Sequence, residues 1–426
     1  RYMLQASLRA DAADLSMLPK NNRWGYFPAV SAGWTISQEK FWEPLQNAIQ
    51  SLKFRASWGQ NGSLASLGNY LYSTTIVTNG GYNYITGTNP STVGNPDLKW
   101  ETSDQIDLGL DGRAFGGRMN FGIDYYVKKT KDLLVGGTRP TFTLGGKMPV
   151  VNAGDVENKG WEFELGWRDH IGKDFQYSIR GNLATLHNEV TFLDPSLSRI
   201  QGATADGYYK YPTYFEKGHA AYYFRGYKFE GVDPATGDPI FADLDNSGTA
   251  GDDGDMTDLG NALPKFTYGI TLTAAWKGID LLVFGSGSYG NHNYLQMTSK
   301  EAALNNRLKE VFYDGRWTTA GSEAEKPRAG MNNMDKYLLS SAMVYDASYF
   351  KIKQIQLGYT VPKTLLRKTR FIENLRLYCS LEDFFTFTSY PGLDPEISPL
   401  TYCAMGVDKG SYPSSKKVVL GFNIDF

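Results

Sequence analysis

The sequence predicts an all-β fold, a transmembrane antiparallel β-barrel with long extracellular loops. Three observations lead there. Apolar residues recur at every second position over about a dozen segments. The connections between those segments alternate between short and long. No run of about 18 apolar residues exists, which rules out a transmembrane helix and leaves a barrel open.

The segments come in order. Tyr2, Leu4, Ala6 and Leu8 alternate, as do Trp24, Tyr26, Pro28, Val30, Ala32, Trp34 and Ile36. Leu52, Phe54, Ala56 and Trp58 follow, then Ile106, Leu108 and Leu110, then Met119, Phe121, Ile123, Tyr125 and Val127. Trp161, Phe163, Leu165 and Trp167 are separated by Glu162, Glu164 and Gly166. Phe175, Tyr177, Ile179 and Leu183 come next, followed by Phe266, Tyr268, Ile270, Leu272, Ala274 and Trp276. Ile279, Leu281 and Val283 lead into GSGSYG, and Ile355, Leu357, Tyr359 and Val361 come after. Leu375, Leu377, Cys379 and Leu381 precede the last segment, KKVVLGFNIDF, where Val418, Leu420, Phe422, Ile424 and Phe426 share one parity. A period of two puts these side chains on one face of a strand. About ten such residues cross a bilayer at a tilt.

Short turns are expected at 114–117, 168–174 and 277–280, with somewhat longer ones at 37–50 and 362–371. Long connections span 60–98, 132–156, 188–264, 291–345 and 387–415. Sorting short and long loops to opposite sides is how an outer-membrane barrel separates periplasmic turns from extracellular loops. Tyr222–Glu230 resembles a strand, but counting it as spanning would put 277–280 on the wrong side. It therefore belongs inside one long extracellular excursion. The last strand then runs inward and is expected to pair with the barrel's first strand, leaving no edge in lipid.

Composition narrows the function. Net charge is −2, which gives no footprint for a nucleic-acid partner. Aromatic residues are 14% of the chain, 28 of them Tyr. Cys379 and Cys403 read as two unrelated thiols, and His170, His187, His219 and His292 lack metal-ligand spacing. The chain opens directly on an alternating segment with no targeting sequence, so an N-terminal part of a longer polypeptide is expected to precede it. Trp24, Trp34, Trp161, Trp167 and Trp276 lie near strand ends or on the outward parity, where aromatic girdles form.

The runs NNRWGYFPAVSAGWTISQEKFW, SLKFRASWGQNG, VGNPDLKWETSDQIDLGLD, NAGDVENKGWEFELGW, SYFKIKQIQLGYTVP and NLRLYCSLEDFFTFT resemble the SusC/RagA-type TonB-dependent transporters of the Bacteroidetes outer membrane. The resemblance covers essentially the whole chain. It implies a twenty-two-stranded barrel, of which residues 1–426 are the C-terminal twelve strands or so. The plug, the first strands and the TonB box are absent from this sequence. It further implies import of a nutrient, an oligosaccharide (glycan) or a peptide, powered through TonB. The implied partners are a SusD-like surface lipoprotein acting as a lid, and membrane lipid, with dimers of transporter–lid pairs. The alternative is a passive porin or a structural barrel.

Two stretches suggest sites. In FADLDNSGTAGDDGDMTD, Asp243, Asp245, Ser247, Gly248 and Thr249 match positions 1, 3, 5, 6 and 7 of a calcium loop. Position 12 is Gly254, so the register needs a one-residue insertion for Asp255 to supply the last oxygen. Structural calcium (Ca2+) and a solvated acidic loop both fit. The resemblance implies a better-formed acidic loop here, and this sequence departs from it. In GYYKYPTYFEKGHAAYYFRGY, Tyr208, Tyr209, Tyr211 and Tyr214 could stack on sugars or pack on a peptide, or the loop could pack on itself or on the lid. GSGSYG matches the nucleophile motif G-x-S-x-G only loosely and lacks its strand–turn–helix setting. No nucleophile, base or acid is assigned, so the chain is not read as an enzyme.

Overall fold

The computed structural model describes residues 1–82, 85–135, 149–195, 197–202, 212–296, 314–367, 371–397 and 402–426. Among the described residues, twelve strands reach nine residues or more. They are β1 (Tyr2–Ala12), β2 (Trp24–Thr35), β3 (Ile49–Ser63), β4 (Glu101–Ala114), β5 (Met119–Val135) and β6 (Val151–Ile171). The rest are β7 (Phe175–Thr185), β8 (Phe266–Trp276), β9 (Ile279–Tyr289), β10 (Tyr349–Thr360), β11 (Asn374–Thr388) and β12 (Lys417–Asp425). Each contains one alternating segment of the sequence. No helix among the described residues is long and apolar enough to cross a membrane.

The chain divides into two compact units. The first comprises Arg1–Phe163 and His187–Ser198, the second Glu164–Leu186 and Arg199–Phe426. In the first unit β1, β2, β3, β4 and β5 pair in chain order, all antiparallel. His187–Leu193 lies along the loop-side part of β6. In the second unit β7, β8, β9, β10, β11 and β12 also pair in chain order, all antiparallel. A meander of this kind needs only local turns. Lys277 and Gly278 both take positive φ between β8 and β9, as a two-residue hairpin requires. A Cβ at Gly278 would lie 2.8 Å from the Thr360 carbonyl oxygen, so glycine is needed there for space as well.

Register explains the alternation. In the first unit Trp58, Ile106 and Val127 are laterally paired, as are Phe54, Leu110 and Ile123. The intervening rows carry Arg55, Gly109 and Asp124, or Ser57, Asp107 and Tyr126. In the second unit one row joins Ala274, Leu281, Leu357, Cys379 and Leu420, and the next joins Trp276, Ile279, Tyr359, Leu377 and Phe422. A slip of one residue would mix these rows. The apolar rows lie open: Leu420 is 78% exposed and Phe422 68%. A contiguous face of that kind is stable only against hydrocarbon.

The strands outrun the sequence expectation on the loop side. β5 continues to Val135 and β6 begins at Val151, inside the stretch expected to be loop from 132 to 156. β6 has 21 residues, about 70 Å at the usual rise, whereas spanning needs about ten. Above the lipid both faces can be polar, so the alternation there carries no apolar signal.

In the second unit the long connections fold into a body of their own. Phe224, Tyr294, Leu338, Met343, Ala404 and Val407 form its core. Tyr223–Tyr227 pairs with Thr213–Phe215 and with Met256–Asp258, so the strand-like Tyr222–Glu230 stretch does sit within the excursion. His292–Leu295 runs antiparallel to Val344–Asp346 and parallel to Val407–Asp408.

Candidate functional site

Side-chain bonds between distant connections hold the loop body together. The Thr213 hydroxyl donates to the Cys403 carbonyl at 2.6 Å, and the Asn293 amide donates to the Pro395 carbonyl at 3.1 Å. The Tyr390 hydroxyl donates to Asp408 at 2.7 Å. Burial and that carboxylate push the Tyr390 hydroxyl far above its ordinary pKa. Satisfied polar groups in a low-dielectric core fix one arrangement of these connections.

The acidic stretch folds tightly. Ligand oxygens of Asp243, Asp245 and Asp255 lie within 4.8 Å of one another. Asp255 is fully buried. Its Oδ1 accepts from the Leu244 amide at 2.5 Å and the Asp245 amide at 3.3 Å, and its Oδ2 accepts from Gly251 at 2.6 Å and Asp252 at 3.3 Å. Burial works to raise the carboxyl, but these four amides outweigh it and hold the group below the usual carboxylate range. Asp243 accepts from the amides of Ser247 and Gly248, one on each oxygen, at 3.1 and 2.9 Å. Each of its oxygens therefore keeps a lone pair. The Ser247 hydroxyl donates to Asp252 at 3.2 Å, and the Thr249 amide donates back to that hydroxyl at 3.3 Å. The three carboxylates thus come together as the spacing suggested, with Asp255 also tying the loop to itself.

Tyr208, Tyr209 and Tyr211 lie outside the described residues. Tyr214 is 5% exposed, which fits the loop packing on itself and not a presented stacking surface. It sits in Thr213–Phe215 beside Tyr223, with the Arg225 guanidinium 5.6 Å above its ring. Nearby, His219 stacks on Tyr223 at 4.2 Å and its Nδ1 lies 2.9 Å from Asp258. Large rings close to a hairpin bury more surface against each other than they would in water.

Two aromatic bands edge the apolar rows of the second unit. On the loop side Phe266 stacks on Tyr289 at 5.0 Å, Tyr268 on Phe350 at 5.9 Å and Phe350 on Phe387 at 6.3 Å. On the turn side stand Trp276 and Tyr359, laterally linked through Ile279. Tyr268 and Trp276 are eight residues apart on β8, about 26 Å along the strand and about 20 Å once it tilts. That is a few ångströms short of the roughly 25 Å apolar band of an outer-membrane barrel. Trp24 and Trp161 are exposed in the first unit, as girdle residues should be. Gly285–Tyr289 of GSGSYG lie in β9, with no turn or helix at either serine.

Sequence reasoning missed one polar centre. Lys351 on β10 has a side chain only 2% exposed, and its Nζ lies 2.6 Å from Asp394 and 3.0 Å from Glu396. Burial pushes both carboxyls up, but Lys351 with the Ser414 and Glu396 amides holds Asp394, and Lys353 with Lys351 holds Glu396, below the ordinary range. The signal was in SYFKIKQIQLGYT. Phe350 and Ile352 are out of phase with Ile355, Leu357 and Tyr359, and β10 carries a bulge between Ile352 and Gln354.

Residues 1–378 match the family model described as "TonB dependent receptor-like, beta-barrel". TonB-dependent receptor P3 of Formosa agariphila is 30% identical over 100% of this chain and 44% of its own length. TonB-dependent receptor SusC of Bacteroides thetaiotaomicron is 29% identical over 100% of this chain and 42% of its own. Among solved structures, the RagAB peptide transporter superposes with a TM-score of 0.83 at 24% identity, covering 100% of this chain and 46% of that one. The RagAB peptide importer in its open-open state gives 0.81 at 25% identity, with 45% of that chain covered. The chain spans less than half the length of the curated relatives it matches.

Proposed function

The chain belongs to the TonB-dependent receptor-like β-barrel family of the outer membrane, and from that premise we propose that it supplies wall and extracellular mouth to an active nutrient importer. Residues 1–426 act as the C-terminal portion of the barrel. Energy comes through TonB, engaged by a part of the intact polypeptide outside this chain. A SusD-like lipoprotein covers the mouth, and transporter–lid pairs associate as dimers. The substrate is an oligosaccharide or a peptide. The RagAB peptide importer, at 25% identity, supports the peptide side of that range. The observation that carries the reading is that wall and loops together, 100% of the chain, align with receptors of this kind. A wall alone would serve a porin equally well.

The test is uptake by cells expressing the intact polypeptide, with and without TonB. Labelled oligosaccharides and labelled peptides are supplied in parallel. Loss of uptake of one class on deleting TonB is the expected result. Uptake that ignores the deletion would replace this reading with a passive pore.

A structural calcium ion on the 243–255 loop belongs to the same proposal. Asp243 and Asp245 keep lone pairs for it, Asp255 closes the cluster, and Ser247 and Thr249 would complete the oxygen set. Bound there, the ion would offset two of the three converging negative charges and stiffen the loop. Hydrogen exchange across 243–255 should slow on adding calcium and recover on chelation. Exchange indifferent to calcium would leave the loop as a self-capped turn.

A further inference from the structure

The bulge in β10 gathers charges that a regular strand would separate. Phe350 stacks with Tyr268 and Phe387 on the apolar face, so Lys351 points to the other face. In an unbroken strand Lys351 and Lys353 would share the face of Ile355 and Leu357. The extra residue at the bulge breaks that phase. Lys351 then reaches Asp394, Glu396 and Ser414, all on the connection between β11 and β12. Lys353 reaches the same Glu396 oxygen.

Asp383 faces this cluster from β11. It is a non-glycine residue at φ 55, a conformation sparsely populated for L-residues. Its Oδ1 is buried and accepts no hydrogen bond. That oxygen is 3.7 Å from Lys353 Nζ, within ion-pair range and beyond hydrogen-bond length. A buried carboxylate oxygen left short of its donor is costly, and the donor it lacks stands next to it, engaged elsewhere.

We propose that these residues form a two-position latch between the loop body and the wall. Docked, Lys353 holds Glu396 and, with Lys351, ties the β11–β12 connection to β10. Released, Lys353 swings to Asp383, so that ammonium and the Asp383 carboxylate satisfy each other when the loop departs. Asp383 therefore stabilises the released state, although it lies beside the docked one. A simple ion network makes the opposite prediction, because there every carboxylate near Lys353 helps to hold it.

Hydrogen exchange on the intact polypeptide in detergent tests the sign. The reporters are the amides of Glu396 and Ser414, both of which donate to Asp394 at 2.9 Å while the loop is docked. E396Q should speed their exchange several-fold. D383N should slow it about threefold, the size of one ion pair at a part-exposed site. In a K353M background D383N should have no effect. Asparagine tolerates the left-handed backbone, and D383G serves equally if the first variant assembles poorly. Faster or unchanged exchange in D383N would overturn the latch, and so would slowing that persists without Lys353. The readout needs no transport, so its failure and that of the importer reading are separable.

Discussion

Phe422 and Phe224 are the same side chain in opposite surroundings. On β12 Phe422 is 68% exposed in a row with Leu377 and Tyr359, whereas in the loop body Phe224 is 1% exposed against Tyr294. The wall carries its greasy residues outward and the loop body packs them inward. Each obeys the solvent that it meets, hydrocarbon in one case and water in the other. Two regions of one unit are thus stabilised by different means: lateral register in the wall, and a close-packed core with buried polar bonds in the loop body.

The largest expected effect should fall on one region alone. Phe224→Ala opens a cavity in the loop-body core and should cost about 3–5 kcal/mol there. Limited proteolysis should then cut the 213–227 region, while the barrel keeps its heat-modifiable migration on gels. If the wall unfolds together with the loops, the two regions are one cooperative body and the contrast fails.

Next in size is a charge placed on either face of β10. Ile355→Arg puts a guanidinium near mid-membrane on the outward row, level with Leu272 and Val283, and should cost about 2–4 kcal/mol. Gln356→Arg, one residue away on the other row, should cost less than about 1 kcal/mol. Denaturant titration of refolding into vesicles measures both. Equal costs would mean that the inner row is as dry as the outer one.

The same contrast governs what the sequence disclosed. The wall was legible because a strand pairs with its neighbour in chain order, so a local period of two and a short turn specify it. The Trp161–Trp167 segment and the Lys277–Gly278 turn needed no distant information. β10 was legible only below its bulge, since an inserted residue hides Phe350 and Ile352 from an alternation count. The loop body was barely legible at all. Thr213 finds its acceptor 190 residues away, at Cys403, and Lys351 finds Asp394 across 43. No local pattern predicts such meetings. The acidic loop lies between these cases: its spacing matched Asp243 and Asp245 and admitted Asp255 only through a one-residue insertion, and the bonds that gather them are short-range. Tyr214 shows why the sequence left two readings open, because an aromatic-rich run reads the same whether presented or packed.

The acidic loop should also respond to pH in one direction. Asp255 has a folded pKa below its unfolded value of about 4. Its contribution is therefore complete above that unfolded value and is lost as pH falls through the lower, folded one. Exchange at the amides of Leu244 and Gly251, corrected for intrinsic rates, should stay flat from neutrality to about pH 5 and rise only in stronger acid. Asp255→Asn should remove the acid transition and raise exchange at neutral pH. A rise near pH 6 in the parent protein would point to another group.

The smallest effect is expected on the inner face of the first unit, at Arg55. Its Nε lies 2.9 Å from Asp111 and its Nη2 2.7 Å from Asp124. The geometry suggests a strong clasp, yet Arg55 is 40% exposed and Asp111 46%. Water that reaches both partners screens their attraction and would solvate the two carboxylates left behind by a substitution. Arg55→Gln should therefore shift denaturant stability by no more than about 1 kcal/mol. A loss of 3 kcal/mol or more would signal a dry, low-dielectric inner face, where breaking one charge pair strands the others. The wall would then have a single solvent rather than two, and the alternation along every strand would need a different cause.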